Sequence, residues 1–198
     1  GTVAVLVKED GTEEIIKTSL TTENGVEVTV NAGDTIKIID NSKEFSDVDR
    51  EYWGADAIDF VTSRELFNGT GETTFSPESD MTRAMIVTVL ARYEGVDTSA
   101  GDEWYEAGAR WAVENGISDG TNLDAFVTRE QLVTMLYRYA GEPEVTGDLG
   151  DFTDKSSVSD WAYSAMAWGI DQGLINGMGD GSLNSQGKAT RAQVAAIL

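Results

Sequence analysis

Apolar residues recur at every second position near the start of the chain. Val3, Val5 and Val7 alternate with smaller neighbours, Val26, Val28 and Val30 alternate with polar ones, and Ile36 and Ile38 repeat the pattern. A period of two is that of a strand. Asp10-Gly11, Asn24-Gly25 and Ala32-Gly33-Asp34 separate the runs, and such residues accept the positive φ angles of tight turns. Residues 1–41 therefore predict a small antiparallel β segment of three or four strands. A unit of about 40 residues has too little core to stand alone, so it is expected either to end a larger β domain or to pack as a layer on the rest of the chain.

From Phe45 onward the period changes and an internal repeat appears. With Trp53, Trp104 and Trp161 taken as zero, offset +4 is small (Ala57, Gly108, Ala165), +7 is aromatic (Phe60, Trp111, Trp168), +13 is branched aliphatic (Leu66, Ile117, Leu174) and +16 is glycine (Gly69, Gly120, Gly177). A loop comes next, and then Thr-Arg in each copy: Thr82-Arg83, Thr128-Arg129 and Thr190-Arg191. The Trp-to-Arg distance is 30, 25 and 30 residues, so the middle copy has lost five residues from its loop. Copies one and three share an apolar loop anchor eight residues before the Arg, Phe75 and Leu183.

Each copy reads as helix, Gly-rich loop, helix. The first helix is amphipathic, with Trp53, Ala57, Phe60 and Val61 on one face, and the glycines at +16 are expected chiefly as its C-caps. Each signature Thr is placed as an N-cap, and Gln131 and Gln193 complete capping boxes. Apolar stripes continue at Ile86, Val89, Leu90 and Tyr93, at Leu132, Met135, Leu136 and Tyr139, and at Val194 and Ile197; Gly95 and Gly141 close the first two. The last helix runs out at Leu198, so a continuation of a few residues is expected. One helix pair cannot bury its apolar face, whereas three copies around a pseudo-threefold axis can. The expected fold is mainly α: residues 45–198 as one bundle of three helix-loop-helix repeats, about 45–96, 97–141 and 151–198, preceded by the β segment at 1–41.

Composition narrows the chemistry. The 198 residues include no Cys and no His, and 14 basic against 35 acidic residues give a net charge of −21. Disulfides, Cys/His zinc sites and His-dependent triads are excluded; no metal and no cofactor is called for. The negative field disfavours nucleic acid and anionic membranes. No apolar run approaches the ~18–20 residues of a membrane span, so no membrane insertion is expected. Gly1-Thr2-Val3-Ala4 does not read as a signal peptide, and an export signal is expected to lie outside this sequence.

The triplicated pattern resembles the S-layer homology (SLH) family of bacterial cell-wall anchoring modules. Phe45-Ser46-Asp47-Val48 is similar to the family's opening, followed by Trp53, Ala57-Ile58, Asn68-Gly69, Phe75-Ser76-Pro77 and Met81-Thr82-Arg83-Ala84. Copy three offers Phe152-Thr153-Asp154, Ser159-Asp160-Trp161, Asn176-Gly177-Met178-Gly179-Asp180-Gly181 and Ala189-Thr190-Arg191-Ala192. The fourth signature position departs from the family's Glu (Met85, Gln131, Gln193), Glu130 replaces Ala in copy two, and that copy lacks the opening Phe-x-Asp.

The resemblance implies binding without catalysis, in grooves between copies, to a peptidoglycan-linked secondary wall polysaccharide whose sugars carry pyruvate ketals; it also implies an extracellular, wall-associated location. The residue types suit that ligand. An Arg just after an N-cap sits where helix amides favour anions, and its planar fork grips a carboxylate. A Trp face stacks on sugar C–H edges, and glycine lets backbone approach a ligand. The candidate ligand-binding residues are Arg83, Arg191, Arg129, Trp53, Trp104, Trp161, Asp160, Gly69, Gly120 and Gly177. A structural role remains open for each: arginines pinned by acids such as Asp47 or Asp154, tryptophans partly in the core. Glu130 is expected to oppose an anion at Arg129 or to occupy its guanidinium. Two rival functions stay open, self-association in a surface layer and carboxylate-dependent glycoside hydrolysis.

Overall fold

The computed structural model describes residues 1–198. Five short strands precede six α-helices: β1 (Thr2–Val7), β2 (Glu13–Ile15), β3 (Leu20–Thr22), β4 (Gly25–Glu27) and β5 (Thr35–Asp40), then α1 (Ala55–Ser63), α2 (Arg83–Tyr93), α3 (Glu106–Glu114), α4 (Arg129–Tyr139), α5 (Tyr163–Asp171) and α6 (Arg191–Ile197). The strand number exceeds the three or four expected because the segment splits. It forms an antiparallel sheet of order β2-β1-β5 and a separate β3-β4 hairpin. Val28 and Val30 alternate as a strand would but lie beyond β4, with no partner strand to bond.

Strand β1 is the central one, and Val3, Ala4 and Val5 are buried on both faces. The segment packs on the helical part through Arg64, just past α1. This side chain is 1% exposed; its Nε donates to the Ser19 carbonyl at 2.8 Å, and its terminal nitrogens reach Phe60 O, Ser63 Oγ and Thr2 O. The guanidinium also lies 3.8 Å from the Phe60 ring centre. Asn41 Nδ2 donates to Ser63 O at 2.6 Å beside it.

The second helix of each copy lies against the first helix of the next: α2 on α3, α4 on α5, and α6 back on α1. The residues two before each signature Arg close a ring of backbone bonds. Met81 N donates to Ala189 O (3.0 Å), Ala189 N to Val127 O (3.0 Å) and Val127 N to Met81 O (2.9 Å). All three are buried, and one core continues from them through Ile86, Leu90, Leu132, Met135, Ala192 and Val194.

Local signals explain the helix ends. Thr82, Thr128 and Thr190 accept from the amides of Met85, Gln131 and Gln193, and the two Gln side chains return the bond. Gly95 and Gly141 come after α2 and α4 with φ of +76° and +82°, the left-handed turn that ends a helix without strain only for glycine. The glycines at +16 are not C-caps: α1, α3 and α5 end several residues earlier. The left-handed residues after those helices are Glu65, Gly116 and Gly173.

Candidate functional site

The tryptophans precede their helices instead of joining the apolar face. Trp53, Trp104 and Trp161 are 62%, 52% and 57% exposed, which overturns the partly buried reading. Each lies in the turn just before a helix. Tyr52 and Tyr105 stand 5.5 and 5.3 Å from Trp53 and Trp104.

The signature arginines of copies two and three reach across to the loop of the next copy. Arg191 is 6% exposed, donates from Nε to Phe75 O and from a terminal nitrogen to Asn68 O, both at 2.7 Å, and lies 4.4 Å from the Phe75 ring centre. Arg129, 5% exposed, donates from Nε to Leu183 O at 3.0 Å. Burial pulls both guanidinium pKa values down, and the charges of Asp47 and Asp154 partly restore them. Neither arginine makes a salt bridge with these acids.

The acids hold the same loops from the other side. Asp47 accepts from the amides of Phe75 and Ser76 at 2.8 and 2.7 Å, and Asp154 from those of Leu183 and Asn184, both at 2.8 Å. At Asp47 desolvation raises the pKa, but the two amides and Arg191 outweigh it and hold the carboxyl below its usual range. At Asp154 the Leu183 amide leads the downward shift, against desolvation.

Arg83 differs. The shortened loop of copy two offers its Nε no carbonyl, and this buried atom has no partner. A terminal nitrogen instead meets Asp119 Oδ1 at 2.9 Å and Ser118 Oγ at 3.0 Å. Its charge is thus met by a carboxylate. Glu130 does not occupy Arg129 as expected: it is 2% exposed and accepts from Ser159 N (3.0 Å) and Ser159 Oγ (2.7 Å). It fixes the start of the turn that carries Asp160 and Trp161, both exposed to solvent.

The +16 glycines allow close packing. A Cβ on Gly177 would lie 2.6 Å from the Phe152 ring and 2.8 Å from Ser182 O; on Gly69 it would lie 2.8 Å from Gly71 O and Thr74 O and 3.0 Å from the Phe45 ring. At Gly120 it would meet Val113 at 2.8 Å. These contacts seat the loops on the opening Phe residues in copies one and three.

Three of the expected residues, Arg191, Gly69 and Trp104, converge on one groove of about 300 Å³. Arg191, Asn68, Gly69, Thr70 and Trp104 line it together with Met85 and Thr88 of α2. Arg92, from the last turn of α2, completes it. Sequence reasoning passed over Arg92, although an Arg nine residues after the signature recurs as Arg138 in copy two. Arg92 donates to Thr98 Oγ1 and Leu66 O, and its pKa is lowered by burial. No Asp or Glu lines this groove, in a chain with 35 of them. Arg83, Arg129, Trp53, Trp161, Asp160, Gly120 and Gly177 lie outside it.

Residues 44–84 and 151–195 match the model of the S-layer homology domain; these are the openings, loops and signatures of copies one and three. The chain is 30% identical to an amylopullulanase of Thermoanaerobacterium thermosulfurigenes over 79% of its length. It is 26% identical to a surface-layer 125 kDa protein of Lysinibacillus sphaericus over 73%, and 28% identical to a cellulosome-anchoring protein of Acetivibrio thermocellus over 66%. It spans 9%, 14% and 33% of those proteins.

Proposed function

Because its residues 44–84 and 151–195 make the chain a member of the S-layer homology domain family, we propose that it is a cell-surface anchoring module that binds an anionic wall polysaccharide without catalysis. Proteins of this family sit at the cell surface in association with the wall, and so does this chain. The relatives named as enzymes share only a small piece with it, 9% for the amylopullulanase, which supports an accessory module over a catalytic one.

The observation that carries the reading is the groove at Arg191 and Trp104. Two guanidinium groups, Arg191 and Arg92, face it with no carboxylate in its lining, while another signature arginine, Arg83, is met by Asp119. A pyruvate ketal offers a carboxylate on a compact sugar; the arginines suit the former and the exposed face of Trp104 suits the latter. Asn68, Gly69 and Thr70 line the groove beside these groups. Local attraction of this kind survives a net charge of −21 because the opposing charges are exposed and screened beyond about 10 Å at ordinary salt.

We read the closed ring through Met81, Val127 and Ala189 as a pseudo-threefold axis, with residues 45–198 as one three-copy domain. Copy two then serves mainly as scaffold. It contributes Trp104 to the groove but quenches Arg83 with Asp119.

Purified wall polysaccharide, intact and after removal of its pyruvate by mild acid, provides the test. The intact polymer is expected to bind at least about tenfold more tightly, about 1.4 kcal/mol. Equal affinity for both would reject the anion reading.

A further inference from the structure

The groove at Arg191 is small for a polymer. Its volume of about 300 Å³ is at the lower end of ligand pockets, which run from about 300 to 1,000 Å³, so the sugars next to an acidic residue seated there must leave it. One larger cleft, of about 780 Å³, borders it. Phe67, Asn68, Gly69 and Arg92 line both cavities.

Beyond those shared residues the cleft draws on several parts of the chain, among them Thr62 and Glu65 at the end of α1 and Gly71 and Glu72 of the loop that follows. Glu14 and Lys17 come from the β segment, Ser42, Lys43 and Glu44 from the connection to α1, and Asp97, Thr98 and Ser99 from the loop after α2. The fit of these parts is held by Arg64, which welds the segment to α1 through Ser19 and Thr2. The cleft is not a second anion seat, since Glu14, Glu44, Glu65, Glu72 and Asp97 outnumber Lys17, Lys43 and Arg92. A lining of charged acceptors and donors side by side suits hydroxyl groups, each of which is both donor and acceptor.

Arg92 stands where the two cavities meet. Its copy-two equivalent, Arg138, is 42% exposed at the side chain and lies 4.0 Å from Glu142. Arg92 instead turns inward and is held by Thr98 Oγ1 (3.0 Å) and Leu66 O (3.1 Å).

We propose that the cleft is a second carbohydrate subsite, holding the uncharged sugars next to the acidic one in the Arg191 groove, so that the β segment is part of the binding site. This rests on the anionic-saccharide reading above and extends it to ligand length and direction.

Three probes test it by calorimetry on the full chain: a methyl hexoside bearing a 4,6-pyruvate ketal, and two tetrasaccharides with the same ketal-bearing hexose at one end or the other and three neutral sugars. One tetrasaccharide is expected to bind at least about tenfold more tightly than the monosaccharide. Lys43→Ala and Glu72→Trp, both at exposed cleft positions outside the groove, should cut that advantage to about threefold or less and leave monosaccharide binding unchanged. If the monosaccharide binds as well as both tetrasaccharides, or if the advantage survives in both variants, the cleft is no subsite although the groove stands. If the wild type binds none of the three, the anionic-saccharide reading itself fails and the subsite falls with it.

Discussion

Asp47 and Arg191 hold opposite sides of the same residue. The carboxylate accepts the Phe75 amide at 2.8 Å and the guanidinium donates to the Phe75 carbonyl at 2.7 Å. Asp154 and Arg129 do the same at Leu183, at 2.8 and 3.0 Å. The opening Asp of one copy and the signature Arg of the preceding copy in the ring therefore form a clamp on a loop anchor, and Phe75 and Leu183 are fully buried in its grip. The clamp joins copy three to copy one and copy two to copy three. Between copies one and two it is missing, because Arg83 has no anchor carbonyl to reach.

The three signature arginines should therefore differ in stability when truncated. Arg191→Ala and Arg129→Ala each remove charged hydrogen bonds from a buried carbonyl and should cost about 1.5–3 kcal/mol. Arg83→Ala removes a partly exposed ion pair and should cost about 0–1 kcal/mol. Urea unfolding of the three variants checks the order; a larger loss at Arg83 than at Arg191 would contradict the clamp.

The clamp also sets a response to acid. Asp47 and Asp154 have native pKa values below the ordinary carboxylate value of about 3.9. A depressed native pKa means the unfolded chain takes up protons first, so the stabilisation is full above that ordinary value and is lost as pH falls from it through the native values. Unfolding free energy should fall below about pH 4, and the Asp47→Asn, Asp154→Asn double variant should fall less steeply from a lower starting point. Parallel curves for wild type and variant would count against it.

Much of this was legible in the chain. The repeat, the Thr caps and the Gln131 and Gln193 capping boxes rest on local spacing, and local spacing fixed those helix starts. The tryptophans misled because one turn of offset moves a residue from helix face to preceding turn, and periodicity does not resolve that. Two of the +16 glycines, Gly69 and Gly177, misled for a different reason: they pack against Phe45 and Phe152, far away in sequence. The partners of Arg191 are main-chain carbonyls, which leave no trace in side-chain spacing. Arg64, which joins the β segment to α1, carried no signal at all beyond being an arginine beside an amphipathic stretch.

Gly177→Ala tests the packing role of the loop glycines. The new Cβ would lie 2.6 Å from the Phe152 ring at a φ of +77°, so both overlap and backbone strain apply, and a loss of about 1–3 kcal/mol is expected. Gly173→Ala, with φ of +70° but open space around it, should cost less. Thermal unfolding of the pair compares them.

Glu130 should matter for copy three more than for its own copy. Glu130→Ala removes both bonds to Ser159, and amide hydrogen exchange around residues 159–163 should speed up more than that within α4. Glu130→Gln keeps one acceptor and should fall between. Uniform exchange throughout the bundle would show that Glu130 does not hold that turn.

The most direct measurement is calorimetric titration of pyruvylated wall polysaccharide into Trp104→Ala and Trp161→Ala, each with its melting temperature. Both side chains are more than half exposed, so neither variant should lose much stability, and only Trp104 lines the Arg191 groove. Trp104→Ala is expected to bind at least about tenfold more weakly at an unchanged melting temperature, while Trp161→Ala binds like the wild type. Wild-type affinity in Trp104→Ala would contradict the assignment of the groove as the polysaccharide site.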